Sequence, residues 1–466
     1  MTKDLTQGRP MKLLLQFGIP ILFGMLFQQL YNVVDTAIVG KFLGGGALAA
    51  VGATGSINFL VVGGCIGLCG GFTIPVAQRF GAGDYGELRK YVASGVWCCL
   101  FFSAAVTALT LLLGPAILTA MHTPADIYEA SWTYISVIFA GISASILYNM
   151  TAGILRSLGD SRTPVLWLVV ASLTNIALDL LFIISFRWGV FGAAFATVLS
   201  QLFAGLGCLV RVCRGFEILR MEREDWAWSW RRIGTLVGLG LPMGLQYSIT
   251  AIGSIMLQSA VNVLGTAYVT ATTAASKVSV FLCCPFDAMG STMITYGGQN
   301  VGARQWDRLH QGVRSCTLLG LLYAGIALLM VWFGGNGMVM LFLDQKSAAL
   351  APLARHYLLV MALFYFPLSL VNIFRFMIQG MGFSPLATLA GVLEMVGRGL
   401  VARLVGVWGY SAACFASPAA WILADVFLVP AYFWCARHVR REDLLQPKKK
   451  TLDIRKLSLR RPRAAA

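Results

Sequence analysis

Charge is scarce along this chain. Asp, Glu, Lys and Arg make up 12% of its 466 residues, about half the roughly 25% of a soluble domain. A water-facing surface large enough for a soluble fold of this length is thereby excluded. Histidine is nearly missing: His122, His310, His356 and His438 are the full set, and none has a zinc-binding spacing. There is no Walker lysine motif and no GxSxG elbow, so nucleotide hydrolysis and serine-hydrolase chemistry lack their residues. The eleven cysteines form no metal pattern with histidine. Cys65, Cys69, Cys98, Cys99, Cys283 and Cys284 fall inside apolar runs, where a thiol packs as a small apolar group. Neither an enzyme nor a cofactor is expected, and energy for any work must come from an ion gradient or a separate partner.

What is present is apolar length. The chain is 58% hydrophobic, with a mean hydropathy of +0.74. Its runs suit spanning helices of roughly 20 residues rather than barrel strands. The fold class is therefore an all-α integral membrane protein. Twelve helices are predicted near 13–39, 47–77, 91–120, 128–153, 163–185, 190–213, 233–263, 267–296, 312–343, 352–379, 385–407 and 409–437. The first run is too long for a signal peptide and lacks a small-residue cleavage site, so no cleavage is expected.

The net charge of +16 points to topology and not to nucleic acid. Basic residues crowd alternate loops, as at Arg79, Arg89, Lys90, Arg156, Arg162, Arg231, Arg304 and Arg308, while the opposite loops hold few. The positive-inside rule then places both termini in the cytoplasm of a cell-membrane protein.

Landmarks recur. Pro20 returns as Pro242, Gly44 as Gly265, Gly81 as Gly302 and Gly159 as Gly382, all in nearly constant register. Six helices separate the copies, so the repeat is parallel, and two six-helix lobes around a cleft follow. The expected division is an N-lobe over 1–213, a cytoplasmic linker over 214–232, a C-lobe over 233–437 and a basic tail over 438–466. The linker's mixed charges and tryptophans read as an interfacial amphipathic helix. The tail, with Lys448, Lys449 and Lys450, reads as a topology signal that touches anionic lipid.

A few polar residues interrupt the spans. Asp35 ends the first helix, with Gln28 and Tyr31 on the same stripe and Asn32 nearby. A charge inside a membrane helix costs about 2.5–3.5 kcal/mol on insertion scales, which marks it for function. A cap at the interface is the structural alternative. Helix 5 carries Asn175 and Asp179 one turn apart, and helix 6 adds Thr197. Two carboxylates, a carboxamide and a hydroxyl make a proton or Na⁺ site; an interhelical clamp is the alternative. Glu394 and Arg398 are read as a local ion pair, and Arg375 as snorkelling toward the interface. Lys277, Asp287 and Asp425 receive no role.

These residues carry a resemblance. The GIP at 18–20, DTAIVGKFLG at 35–44, QRFGAGD at 78–84, LRSLGDSRTP at 155–164, NIALD at 175–179, WGVFGAAFATV at 188–198, QNVGAR at 299–304 and ASPAAW at 416–421 resemble the multidrug and toxic compound extrusion (MATE) family in order. The resemblance implies two lobes facing each other as a V, and a secondary antiporter exporting cationic or amphipathic drugs for H⁺ or Na⁺. It implies that Asp35, Asn175, Asp179 and Thr197 bind the coupling cation, that Gln28 and Tyr31 line the drug pocket, and that Pro20 permits helix 1 to bend. Phe27, which offers apolar and cation–π surface, Asn32 and Asn149 are expected in the same substrate site. The NorM-type branch adds acidic residues in helices 7 and 10. The matching stretches here, LPMGLQYSITAIGS and FPLSLVNIF, hold none, which places the chain nearer the branch with an N-lobe site. A monomer with no macromolecular partner beyond lipid is expected. A flippase of lipid-linked oligosaccharides is the alternative of the same architecture, although its cleft needs many more cations. A receptor or channel without coupled transport is the alternative of another class, and it would need neither paired lobes nor paired carboxylates.

Overall fold

The computed structural model describes residues 3–121, 123–343 and 345–445. Helix dominates, because lipid offers no partners to backbone N–H and C=O groups. One run, Pro10–Gly81, has non-helical φ 85° and ψ 179° at Gly44, which divides it into α1 (10–43) and α2 (45–81). Then come α3 (Tyr85–Ala120) and α4, a pair Ala125–Ala140 and Ile142–Ser157 bent by 44°. The half closes with α5 (Arg162–Ser185) and α6 (Gly189–Gly215). The second half holds α7 (Trp230–Asn262), α8 (Thr266–Gly302) and α9 (Trp306–Met340). Its α10 joins Ala351–Leu363 to Tyr365–Gly380 across a 50° bend. It ends with α11 (Ser384–Arg403) and α12 (Tyr410–Leu445). The twelve spans agree with the sequence expectation; the bends in α4 and α10 were not foreseen.

The repeat resides in the backbone. Positive φ occurs at Gly44 and Gly265, at Gly83 and Arg304, at Gly159 and Gly382, and at Gly189 and Gly409. Glycine enters this region without the steric cost other residues meet, which is why the repeat was readable as spaced glycines. The two bends also match, with Gly141 and Phe364 at equivalent places in the two halves.

Two apolar cores form. One packs Cys69, Phe72, Phe139 and Ile142; the other packs Phe286, Tyr296, Tyr365 and Tyr432 and also takes Leu14, Phe17 and Ile21 from α1. Outward, Leu112, Phe333 and Val426 are 78%, 84% and 68% exposed, an apolar surface that suits lipid and not water.

The halves meet along glycines. A Cβ on Gly71 would lie 2.4 Å from the Gly240 Cα, and one on Gly67 would lie 2.5 Å from the Met243 carbonyl, so α2 and α7 touch backbone to backbone. Toward residues 52–59 and 251–262 the same helices diverge around an open cavity lined by Gly55, Phe59, Ser254 and Gln258. At the other end α2 and α8 are pinned. A Cβ on Gly81 would sit 1.9 Å from the Gln299 carbonyl oxygen, and one on Gly302 would sit 1.7 Å from that of Gln78. The Gln78 side-chain amide donates to the Gly380 carbonyl at 3.0 Å.

The N-terminal segment is wedged into this closed end. The Lys3 N–H donates to the Gly159 carbonyl at 3.1 Å, and the Leu5 N–H donates to Gln299 Oε1 at 2.9 Å. Gln299 in turn donates to the Ser157 carbonyl at 2.8 Å, while Arg308 donates to the carbonyls of Leu5 and Gly8 at 3.1 and 2.8 Å. Leu5, Gln299 and Asn300 are fully buried. The cleft is therefore closed on the side of the N-terminus and open on the other.

Residues 214–232 do not form the expected amphipathic helix. After Gly215 the chain makes two short 3₁₀ turns, Glu217–Leu219 and Arg223–Trp226. The reason is a competing local network. Asp225 accepts from the Glu222 N–H at 2.9 Å and from Arg89 Nε at 2.8 Å, and Trp226 and Trp228 pack on Trp97 of α3. Burial opposes the charge on Asp225, yet those two donors hold its carboxyl below the usual carboxylate range. Of the basic tail, α12 runs through Leu445, and residues 446–466 lie outside the described residues.

Candidate functional site

Asp35 and Asp179 meet. Their carboxyl groups are within hydrogen-bonding reach of each other, and one oxygen of each is buried without another partner. Asn175 and Asp179 are fully buried. The Asn175 amide, turned so that both ends are satisfied, donates to Asp179 Oδ2 at 2.9 Å and accepts from the Thr197 N–H at 3.1 Å. Thr197 Oγ1 reaches the Ala193 carbonyl at 3.1 Å and is within reach of the Tyr31 hydroxyl. The site thus draws on α1, α5 and α6. Tyr134 of α4 is buried where the charges of both carboxyls reach it; no sequence motif singled it out. Two bare carboxylates repel at such a separation, so the contact requires a proton or a cation between them. An interfacial cap does not explain this arrangement.

Beside the pair lies a cavity of about 300 Å³, the lower end of small-molecule sites. Gln28, Tyr31 and Asn149 line it, with Tyr148 and Gln201 from the same half and Tyr247, Ser291, Thr295 and Phe376 from the other. Ser145 donates to Gln201 in its wall. Tyr31 belongs to both the cavity wall and the carboxyl site. Phe27 and Asn32 are not part of the wall: Phe27 is 43% exposed, and Asn32 is exposed and bonds Gln29 at 3.4 Å. Each is one residue from a lining position, and one residue turns the side chain by about 100° around a helix. Helix α1 stays helical through Pro20.

The MatE family model matches residues 20–181 and 242–401, one stretch in each lobe. The chain belongs to the MatE family. It is 29% identical over 409 residues to "Probable multidrug resistance protein YpnP" of Bacillus subtilis (strain 168), covering 87% of both chains. Among solved structures it is similar to "Crystal structure of MATE in complex with MaL6", with a TM-score of 0.88, 21% identity and coverage of 95% of this chain and 100% of that one. It is also similar to "Outward-facing conformation of a multidrug resistance MATE family transporter of the MOP superfamily", with a TM-score of 0.86, 22% identity and coverage of 95% and 100%. The fold is the two-lobed one expected, and the MatE chain is a multi-pass membrane transporter, not an enzyme.

The C-lobe of this MatE chain carries different chemistry. In the repeat register, Met256 and Leu257 stand where the second half would place a counterpart of Asp35, so no carboxylate replies to it. Instead Glu394 accepts from Arg375 and, at 3.5 Å, from Arg398. Arg375 is 6% exposed and does not snorkel as expected, because Glu394 of α11 offers a partner in the core that the interface would have to match. Asp425 neighbours the cluster. Removing one member of a buried ion pair costs about 3–5 kcal/mol. Glu394→Gln leaves two buried guanidiniums uncompensated, so its thermal midpoint in detergent is expected to fall well below that of the wild type, with an unchanged midpoint contradicting the pairing.

Proposed function

We propose that this MatE transporter is a secondary active antiporter, exporting drug-like amphipathic compounds in exchange for H⁺ or Na⁺ bound at Asp35 and Asp179. One observation carries the reading: two carboxyls in contact, buried among oxygen donors, with Tyr31 linking them to the cavity. A cation between the carboxyls and a compound in the cavity share Tyr31, so occupancy of one site is felt at the other. Coupling of that kind is reciprocal and makes exchange possible. Asn175 and Thr197 supply the remaining oxygen ligands that a hard cation prefers. Pro20, which removes one backbone hydrogen bond, lets α1 change curvature when Asp35 is neutralised.

The residue supply favours the N-lobe as the coupling half, since α7 and α10 hold no carboxylate within their spans. Basic residues place the N-terminus, the 214–232 connection and the tail on the cytoplasmic side, and the cleft then opens outward from the cell membrane. The protein works as a monomer, since each chain contains both lobes and the site between them.

Purified protein in liposomes provides the test, with an imposed pH gradient in one arm and an imposed Na⁺ gradient in the other. Norfloxacin movement driven by one gradient, and abolished when that gradient is collapsed, is the expected result. Norfloxacin movement that ignores both gradients overturns antiport.

A further inference from the structure

The cavity wall contains a single charged residue, and it is a cation. Among all the lining residues Arg156, in the last turn of α4, is alone in carrying charge. Arginine remains charged at any physiological pH, and a charge set in a low-dielectric wall is costly unless something answers it. Among the described residues nothing answers this one. The acid nearest in sequence, Asp160, is occupied. It accepts from Thr163 at 2.7 and 3.0 Å and from the Arg162 N–H at 3.2 Å, and it faces Arg211 at 3.7 Å. Among the described residues no carboxylate lies within ion-pair distance of Arg156.

A second lone charge, of opposite sign, stands across the cleft. Asp287 lies one helical turn before Ser291 on α8, on the stripe that supplies the cavity with Ser291 and Thr295. It is exposed and its charge acts on Tyr247, itself a lining group, and its place on this stripe points its carboxylate toward the cleft on the open side of the cavity. Asp287 likewise has no cationic partner among the described residues. The cation belongs to one lobe and the anion to the other. Between them the walls are aromatic and apolar, with Tyr148, Tyr247 and Phe376.

We propose that the cavity takes dipolar amphiphiles, with an oxyanion (carboxylate or phosphate) on Arg156 at the closed end and a cationic group toward Asp287 at the open end. This substrate class rests on the antiporter reading of the same cavity. It is narrower than the cationic compounds implied by family resemblance, because a purely cationic compound meets an uncompensated guanidinium at the closed end. A guanidinium can engage an oxyanion with two parallel hydrogen bonds, which lysine cannot reproduce. A ligand that spans both charges touches both lobes, and so favours the arrangement in which the lobes stand at the matching separation.

Binding to purified protein without any gradient tests this apart from transport. Four probes separate the charges: norfloxacin carries both, its ethyl ester only the cation, nalidixic acid only a carboxylate, and dodecyl phosphate only a phosphate. Arg156→Gln is expected to weaken norfloxacin, nalidixic acid and dodecyl phosphate by about 10-fold or more, the worth of a charge-assisted hydrogen bond, and to strengthen the ester, which no longer faces an uncompensated guanidinium. Arg156→Lys is expected to restore part of the loss. Asp287→Asn is expected to weaken norfloxacin and the ester and to spare the two anions. Retained binding by the spared probes in each variant shows that it folds. Uniform weakening of all four probes, or no change in any, overturns the proposal. Charge-dependent binding without gradient-driven transport would overturn the antiporter reading and leave the dipolar site standing.

Discussion

Asp35→Asn and Asp179→Asn are each expected to remove gradient-driven efflux while leaving the protein folded and able to bind compound. The two carboxyls touch, and the contact holds only while a proton or cation lies between them. Asparagine at either position supplies an amide N–H to the surviving carboxylate, so the helices stay packed. What it cannot do is bind and release a cation. The coupling between the cation site and the cavity is then lost. Coupling free energies of about 1–3 kcal/mol correspond to about 5–150-fold in affinity, and efflux is expected to fall toward the rate of empty liposomes. Compound affinity, measured at two pH values or two Na⁺ concentrations, should differ in the wild type and coincide in both variants. Wild-type efflux rates in both variants would refute coupling at this pair. Tyr31→Phe keeps the ring in the cavity and removes the hydroxyl that reaches Thr197. It offers an intermediate case in the same assay, with compound binding retained and its dependence on the coupling ion reduced.

The second large effect is expected at the closed end. Gly81→Ala or Gly302→Ala places a Cβ at 1.9 or 1.7 Å from the backbone oxygen of Gln299 or Gln78. Backbone oxygens held by two long helices cannot yield as a flexible side chain can, so α2 and α8 must separate. Over-packing of this kind costs about 1–3 kcal/mol, and all of it falls on the arrangement closed at this end. That arrangement should lose about 5–150-fold in population relative to the one in which the helices part. Amide exchange reads the outcome directly. The Lys3 and Leu5 N–H groups are held by Gly159 and Gln299, and both should exchange faster when the end stops closing. Transport should fall with them, because a carrier that cannot close one end cannot complete its cycle. Gly45→Ala is the control, since nothing lies within 4 Å of a Cβ there, and it should leave exchange and transport unchanged. Equal effects from all three substitutions would count against a gate at Gly81 and Gly302.

The differences between the two lobes bear on both predictions. The N-lobe holds its paired acids between helices and shares Tyr31 with the cavity. The C-lobe pairs Arg375, Glu394 and Arg398 internally and leaves Asp287 toward the cleft. One pseudo-symmetric backbone therefore carries a paired-acid site in one half and an Arg–Glu–Arg cluster in the other. The gate contacts, in contrast, are reciprocal. Gly81 meets Gln299 and Gly302 meets Gln78, and each residue of one contact is the repeat counterpart of a residue in the other. Backbone packing has kept the symmetry that the side-chain chemistry has lost.

Several of these features were legible in the sequence because they depend on short-range pattern. Apolar run length sets the number of spans, since the bilayer imposes one length on every helix. Glycines at constant spacing announced the repeat, since positive φ selects glycine wherever the same turn recurs. The stripe through Gln28, Tyr31 and Asp35, and the turn joining Asn175 to Asp179, follow from helical periodicity alone. Periodicity is also why Phe27 and Asn32 lie off the lining stripe: a one-residue step leaves the stripe, and residue type cannot show which stripe faces a cavity. Only the tertiary structure decided what lies across from each residue. It brought Asp35 to Asp179 from helices far apart along the chain, added Tyr134, drew Arg375 into the core beside Glu394, and left Arg156 and Asp287 without an ion-pair partner among the described residues. Each of these depends on how helices pack against one another, and that is set by the fit of whole faces, which no local spacing records.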